Sequence, residues 1–127
     1  MESFWIFVMK GNKIDFHARL EKGQWPIYKN TGNRSKLKKG DSVVFYLGGL
    51  RNKKFMGTAT LTSGVEPDGE DFAVGLSKVD IWKSPVFVPS ILGSLDFVPN
   101  KRNWGAYFQG GVVWLSKKDY NTILEKK

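Results

Sequence analysis

Two tryptophans, Trp25 and Trp104, stand in polar, glycine-containing stretches, and Asn30, Asn33 and Arg34 follow the first of them closely. An indole face outside an apolar run is available to stack on a flat ring. An amide both donates to and accepts from a base edge without a charge to desolvate. Cationic clusters surround these residues: Arg34, Lys36, Lys38 and Lys39, then Arg51, Lys53 and Lys54, and later Lys101 and Arg102. The formal charge is +8; residues 1–60 hold twelve Lys/Arg against four Asp/Glu, and residues 61–127 hold eight against eight. The excess therefore lies in the half that contains Trp25 and both asparagines. Such clusters concentrate polyanions and make their binding salt-dependent. The chemistry predicted is nucleic-acid binding, with phosphates held by Lys36, Lys38, Lys39, Arg51, Lys53, Lys54, Lys101 and Arg102. Each cluster also has a plainer reading, as a solvated surface that keeps a small protein in solution.

Most catalytic chemistry is excluded by composition. Without cysteine the chain has no thiolate nucleophile, disulfide or thiolate zinc site, and the single histidine, His17, cannot form a multi-histidine metal site. Asp68, Glu70 and Asp71 fall in a breaker-rich turn and lack the spacing of a calcium loop. Gly48-Gly49 and Gly110-Gly111 lack the Lys-Ser/Thr of a phosphate-binding loop and the spacing of a dinucleotide fold, so they read as turns. No metal and no cofactor is expected. No run approaches the roughly 20 apolar residues of a membrane span, and the opening MESFWIFVMKG carries an acid in place of a basic leader, so a cytoplasmic protein is expected.

The elements that must position these groups follow from periodicity. Residues 3–9 (SFWIFVM) form an apolar, aromatic run that predicts a strand buried on both faces. Asn12 caps a helix expected to run to about Leu20 and to stop at Gly23, with Ile14, Phe16 and Leu20 as its apolar positions. Residues 25–28 read as extended, since Pro26 restricts Trp25, and a polar loop or short helix follows. Residues 42–47 (SVVFYL) and 54–62 (KFMGTATLT) predict an antiparallel hairpin. The acidic stretch 66–71 reads as an exposed loop, and residues 72–82 as a strand whose apolar parity changes near Ser77-Lys78, the mark of a bulge. Pro85 and Pro89 bracket a loop, with a helical turn expected at 90–93. Residues 112–115 form a last strand, and Ser116 with Asp119 caps a final helix whose apolar face is Tyr120, Ile123 and Leu124. Trp5 and Trp114, inside apolar runs, are expected in the core. Together these describe one α+β domain over residues 1–127, built on a small, bent, barrel-like sheet of about six strands.

The order of landmarks resembles an EVE domain of the PUA-like superfamily, of the small stand-alone archaeal and bacterial type. The landmarks are Trp25, the Asn- and Arg-bearing loop, the KKGD turn into SVVFYL, the FMGTATLT strand and KRNWGAYFQGG before the last helix. The resemblance implies a pseudo-barrel of mostly antiparallel strands with flanking helices, and a pocket that takes a flipped-out base. The related YTH domains read N6-methyladenosine in RNA, and EVE domains are thought to read modified bases in DNA or RNA. It implies an aromatic cage drawn from Trp25, Tyr46, Phe72 and Trp104, with Asn30 and Arg34 on the base edge or a phosphate. Counting back from Gly40-Asp41 moves that match to Asn33 and Lys36. Trp104 is as readily core, since Tyr107 and Phe108 lie beside it. The resulting expectation is a non-catalytic nucleic-acid reader. The alternatives are a component of an RNA- or nucleotide-modifying enzyme, or a module that binds a small molecule or protein in the same pocket.

Overall fold

The computed structural model describes residues 2–49 and 52–127. Its strands are β1 (Phe4–Lys10), β2 (Gln24–Ile27), β3 (Ser42–Gly48), β4 (Lys54–Leu61), β5 (Glu66–Asp68), β6 (Asp71–Phe87) and β7 (Val112–Leu115). Helix α1 (Lys13–Glu21) follows β1 and α2 (Lys117–Lys126) follows β7. They form one mixed sheet in the order β2-β6-β4-β3-β1-β7, with β5 paired to β6. β1 and β3 run parallel, and the other pairings are antiparallel. No described helix is long and apolar enough to cross a membrane.

Strand alternation divides the apolar residues between two cores. Trp5, Phe7 and Met9 of β1 and Val43, Phe45 and Leu47 of β3 join Phe16, Leu20 and Trp25 in the concavity of the sheet. Phe4 and Ile6 of β1 and Val44 and Tyr46 of β3 point the other way, into a second core. That core is roofed by 3₁₀ turns at Val88–Ser90, Leu92–Ser94 and Lys101–Phe108 and by Ile123 of α2. A central strand buried on both faces is why residues 3–9 carry almost no polar side chain.

Caps and bulges act where the sequence predicts them. Asn12 Oδ1 accepts the Asp15 N–H at 2.8 Å, and Ser116 Oγ accepts the Asp119 N–H at 3.1 Å. Thr58 faces Asp80 while Thr60 faces Ser77, so β6 carries an extra residue beside Lys78, whose φ is 50°. The bend brings β6 over Gly57, where a Cβ would collide with the Asp80 carbonyl oxygen; only glycine allows the sheet to curl this tightly.

Several expectations are corrected. β6 runs on through Pro85 to Phe87, because register jumps from Ile81 to Val86 opposite β4 and Pro85 falls in the unpaired stretch, where its missing N–H costs nothing. The acidic segment is a short strand, β5, hairpinned onto the start of β6. Ile14 is exposed, since α1 turns only Phe16 and Leu20 inward. Trp114 is 57% exposed, because β7 is an edge strand of the sheet, whereas its partner Trp5 is buried in the concavity.

Two buried aspartates, one at the turn into β3 and one in α2, hold the layers together. Asp41, buried, accepts the Ser3 N–H, the Trp5 Nε1–H and the Lys38 N–H at 2.9–3.0 Å. Asp119, also buried, accepts the Asp96 and Phe97 N–H groups at 2.9 Å and ties the 3₁₀ segment to α2. The KKGD turn is thus an anchor for the chain start and the central tryptophan.

Candidate nucleic-acid interface

β1 and β3 end side by side at Lys10 and Gly48, and the Lys101–Phe108 turns lie across the second core beside them. Between them opens a cleft of about 650 Å³. Val8, Tyr46 and Phe108 contribute its apolar surface, Gly48 and Gly49 its bare backbone, and Lys10, Lys53 and Arg102 its charge. Trp104, half-buried, stands edge-on to Phe108 with centroids 5.6 Å apart, and Phe108 packs on Tyr46 at 4.3 Å. The Asn103 and Gln109 amides complete the lining. Burial pushes the Tyr46 phenol up to about 12, so it stays a neutral hydroxyl across the ordinary pH range. Asn52 Nδ2 donates to the Gly11 and Gly48 carbonyls, at 2.8 and 3.2 Å, and fixes the two strand ends that carry Lys10 and the glycines.

Val8 also lines a second, smaller crevice of about 80 Å³ at the seam where the sheet fails to close, between β2 and β7. Trp25, Ile27, Tyr28 and Thr31 lie on one side and Gly111 and Val112 on the other. The seam is braced by the loop after β2: Asn33 Nδ2 donates to the Val112 carbonyl at 3.2 Å, and Arg34 Nη1 to the Thr31 carbonyl at 3.2 Å. Asn33 takes a left-handed conformation, φ 65°, which asparagine tolerates better than most residues. Gln109 lines the cleft and Gly111 the crevice, so the two cavities flank one turn.

The EVE domain family model matches residues 3–125. The chain belongs to the EVE domain family. Among solved structures, a Rhodopseudomonas palustris protein determined by NMR is similar at 16% identity and TM-score 0.72, covering 98% of this chain and 92% of that one. A Pseudomonas putida protein matches at 13% identity and TM-score 0.73, with 97% and 98% covered. The YTH domain-containing protein mmi1, in a complex with RNA, matches at 15% identity and TM-score 0.62, with 98% and 82% covered. At these identities the likeness is one of fold, and it agrees with the α+β, PUA-like half-barrel. No curated protein matches the chain.

In this EVE domain the residues singled out from sequence fall into separate groups. Tyr46 and Trp104 meet at the cleft with Lys53 and Arg102. Trp25 lies in the other core, on the opposite face of the sheet, 2% exposed and packed on Phe7, Phe16 and Phe45. Trp25 and Tyr46 therefore cannot wall one cage, because successive residues of β3 put Phe45 toward Trp25 and Tyr46 away from it. Phe72 sits half-buried on the Trp25 side beneath the Arg34 guanidinium, 5.4 Å from its centroid. Asn30 is exposed on a turn, whereas the Asn33 amide is engaged in the seam.

The cations divide similarly. Lys36, Lys38 and Lys39 are exposed on the approach to β3 and do not line the cleft; Lys54 lies within β4, also outside it. Lys101 Nζ donates to the Leu95 carbonyl at 2.6 Å, which ties it to the neighbouring turn. Arg51 lies outside the described residues. Lys10, Asn103 and Gln109 were missed. The signal for Lys10 was a cation at the end of an otherwise apolar strand, beside a glycine pair that ends the next strand. Among the described residues no group of three or more His, Cys, Asp or Glu is placed to hold a metal ion.

Proposed function

We propose that this EVE domain is a non-catalytic nucleic-acid-binding module. A single strand lies in the cleft with its phosphates against Lys10, Lys53 and Arg102 and a base on Trp104. One further base, modified, turns past the 109–111 segment toward Trp25 and Phe72. The exposed Asn30 amide reads its edge, while Asn33 and Arg34 hold the walls. Lys36, Lys38, Lys39, Lys54 and Lys101 add only diffuse attraction. The observation that carries the reading is the cleft itself: three cations, an aromatic platform and two amides converge on one concavity of ligand size. The mmi1 YTH domain, solved with RNA, supports the partner class.

The test is a binding panel of single-stranded RNA and DNA oligonucleotides, with methylated adenine, modified cytosine or no modification. Trp104→Ala should weaken binding about 5- to 150-fold, the worth of one stacked base at about 1–3 kcal/mol. Trp25→Ala is a poor probe, since removing a buried tryptophan costs about 3–5 kcal/mol of stability. Affinity unaltered by Trp104→Ala, or product formed from any modified oligonucleotide, would overturn the assignment.

A further inference from the structure

The crevice at Trp25 is far smaller than the roughly 300–1,000 Å³ of ordinary ligand sites, although an indole lines it. Arg19 packs on that indole. Its guanidinium carbon stands 5.0 Å from the Trp25 ring centroid, and its Nη2 donates to the Tyr28 hydroxyl at 3.3 Å. Arg19 and Tyr28 both line the crevice. Phe7, Phe16 and Phe45 hold the indole from within the core, and Arg19 packs on it beside the crevice that both residues line.

We infer that Arg19 is a displaceable plug, a planar cation that occupies the place on Trp25 where a base would stack. The inference rests on the reading that this chain binds nucleic acid, and it assigns to that site a residue that decides which bases enter. A guanidinium on a π face is a weak, flat contact of much the same shape as base on indole. A base enters only by gaining more from the indole than the arginine does. A base with added methyl groups gains more, because it loses less on leaving water. Arg19 is near the C-terminal end of α1 on a flexible stem, and its last-turn position is favourable to a cation in either rotamer. Displaced, it is free to meet the phosphate of the incoming nucleotide, so opening the crevice and neutralising the backbone become one event. Thr31, held by Arg34, and Val112, held by Asn33, keep the walls fixed while the plug moves.

Two arms test this. In the free protein, side-chain protons of Arg19 should resonate upfield of those of Arg102, shielded by the indole, and return on saturation with N6-methyladenosine nucleoside. Arg19→Ala, which suits the helix well, should raise affinity for that uncharged nucleoside about three- to tenfold, the worth of one guanidinium–indole contact. Unshielded Arg19 protons, or nucleoside affinity unchanged or lowered in Arg19→Ala, would overturn the plug. If no oligonucleotide binds the wild type at low salt, the nucleic-acid reading fails by itself. The shielding of Arg19 still decides whether the indole is capped.

Discussion

Neutralising Lys53 should change how binding responds to salt more than it changes the fold. Lys53, at a left-handed turn position with φ 59°, is half-buried beside the cleft and shares it with Lys10 and Arg102. For a single strand each phosphate neutralised contributes about 0.7 to the slope of log K against log salt, so three contacts give a slope of about −2. Between 50 and 200 mM salt the wild type should then lose about 18-fold in affinity, and Lys53→Gln, with two contacts left, only about sevenfold. The assay is fluorescence anisotropy of a labelled single-stranded oligonucleotide without modified bases, which leaves Arg19 on the indole, at four or more salt concentrations. The control is the triple variant Lys36→Gln, Lys38→Gln, Lys39→Gln, whose lysines lie outside the cleft and should leave the slope within about 0.3 of wild type. The reasoning is refuted if the triple variant flattens the slope by a full contact while Lys53→Gln leaves it intact. The strand would then follow the loop before β3.

Other consequences concern the scaffold. Asp41→Ala leaves the Ser3 N–H, Trp5 Nε1–H and Lys38 N–H without their acceptor and should cost about 2–4 kcal/mol in urea unfolding; a change under 0.5 kcal/mol would deny the anchor. Gly57→Ala, which places a methyl against the Asp80 carbonyl, should lower the urea midpoint or prevent folding, with the curl of β4 against β6 as the cause. Burial raises the Tyr46 phenol from its ordinary 10.0 to about 12, so the unfolded chain loses that proton first. Its contribution to stability is full below pH 10 and falls by about 1.4 kcal/mol per pH unit between 10 and 12. Comparing alkaline denaturation of wild type with Tyr46→Phe, which has no proton to lose, isolates that loss. Equal alkaline slopes in the two proteins would contradict it.

The sequence by itself determined the elements and much of their order. Local rules govern them: Asn12 and Ser116 mark helix starts by their own hydrogen bonds, the 42–62 hairpin follows from two strand-forming runs, and the parity change at Ser77-Lys78 records a bulge in the spacing of side chains. Where Pro85 and the acidic stretch were concerned, local rules failed. A proline enters a strand when the partner's register skips it, and a polar segment joins a sheet when a neighbour offers an edge. The site was legible only in kind, as aromatics, amides and cations. Which of them share a cavity was decided by tertiary structure. Burial on both faces of β1 and β3 sends Phe45 to one core and Tyr46 to the other. Trp25 and Tyr46 are thereby parted, and Trp104 joins Tyr46 with Lys10, a residue about ninety positions away in the chain. Sequence spacing cannot encode that meeting, because it depends on the parallel pairing of β1 with β3 and on where the 101–108 turns come to rest.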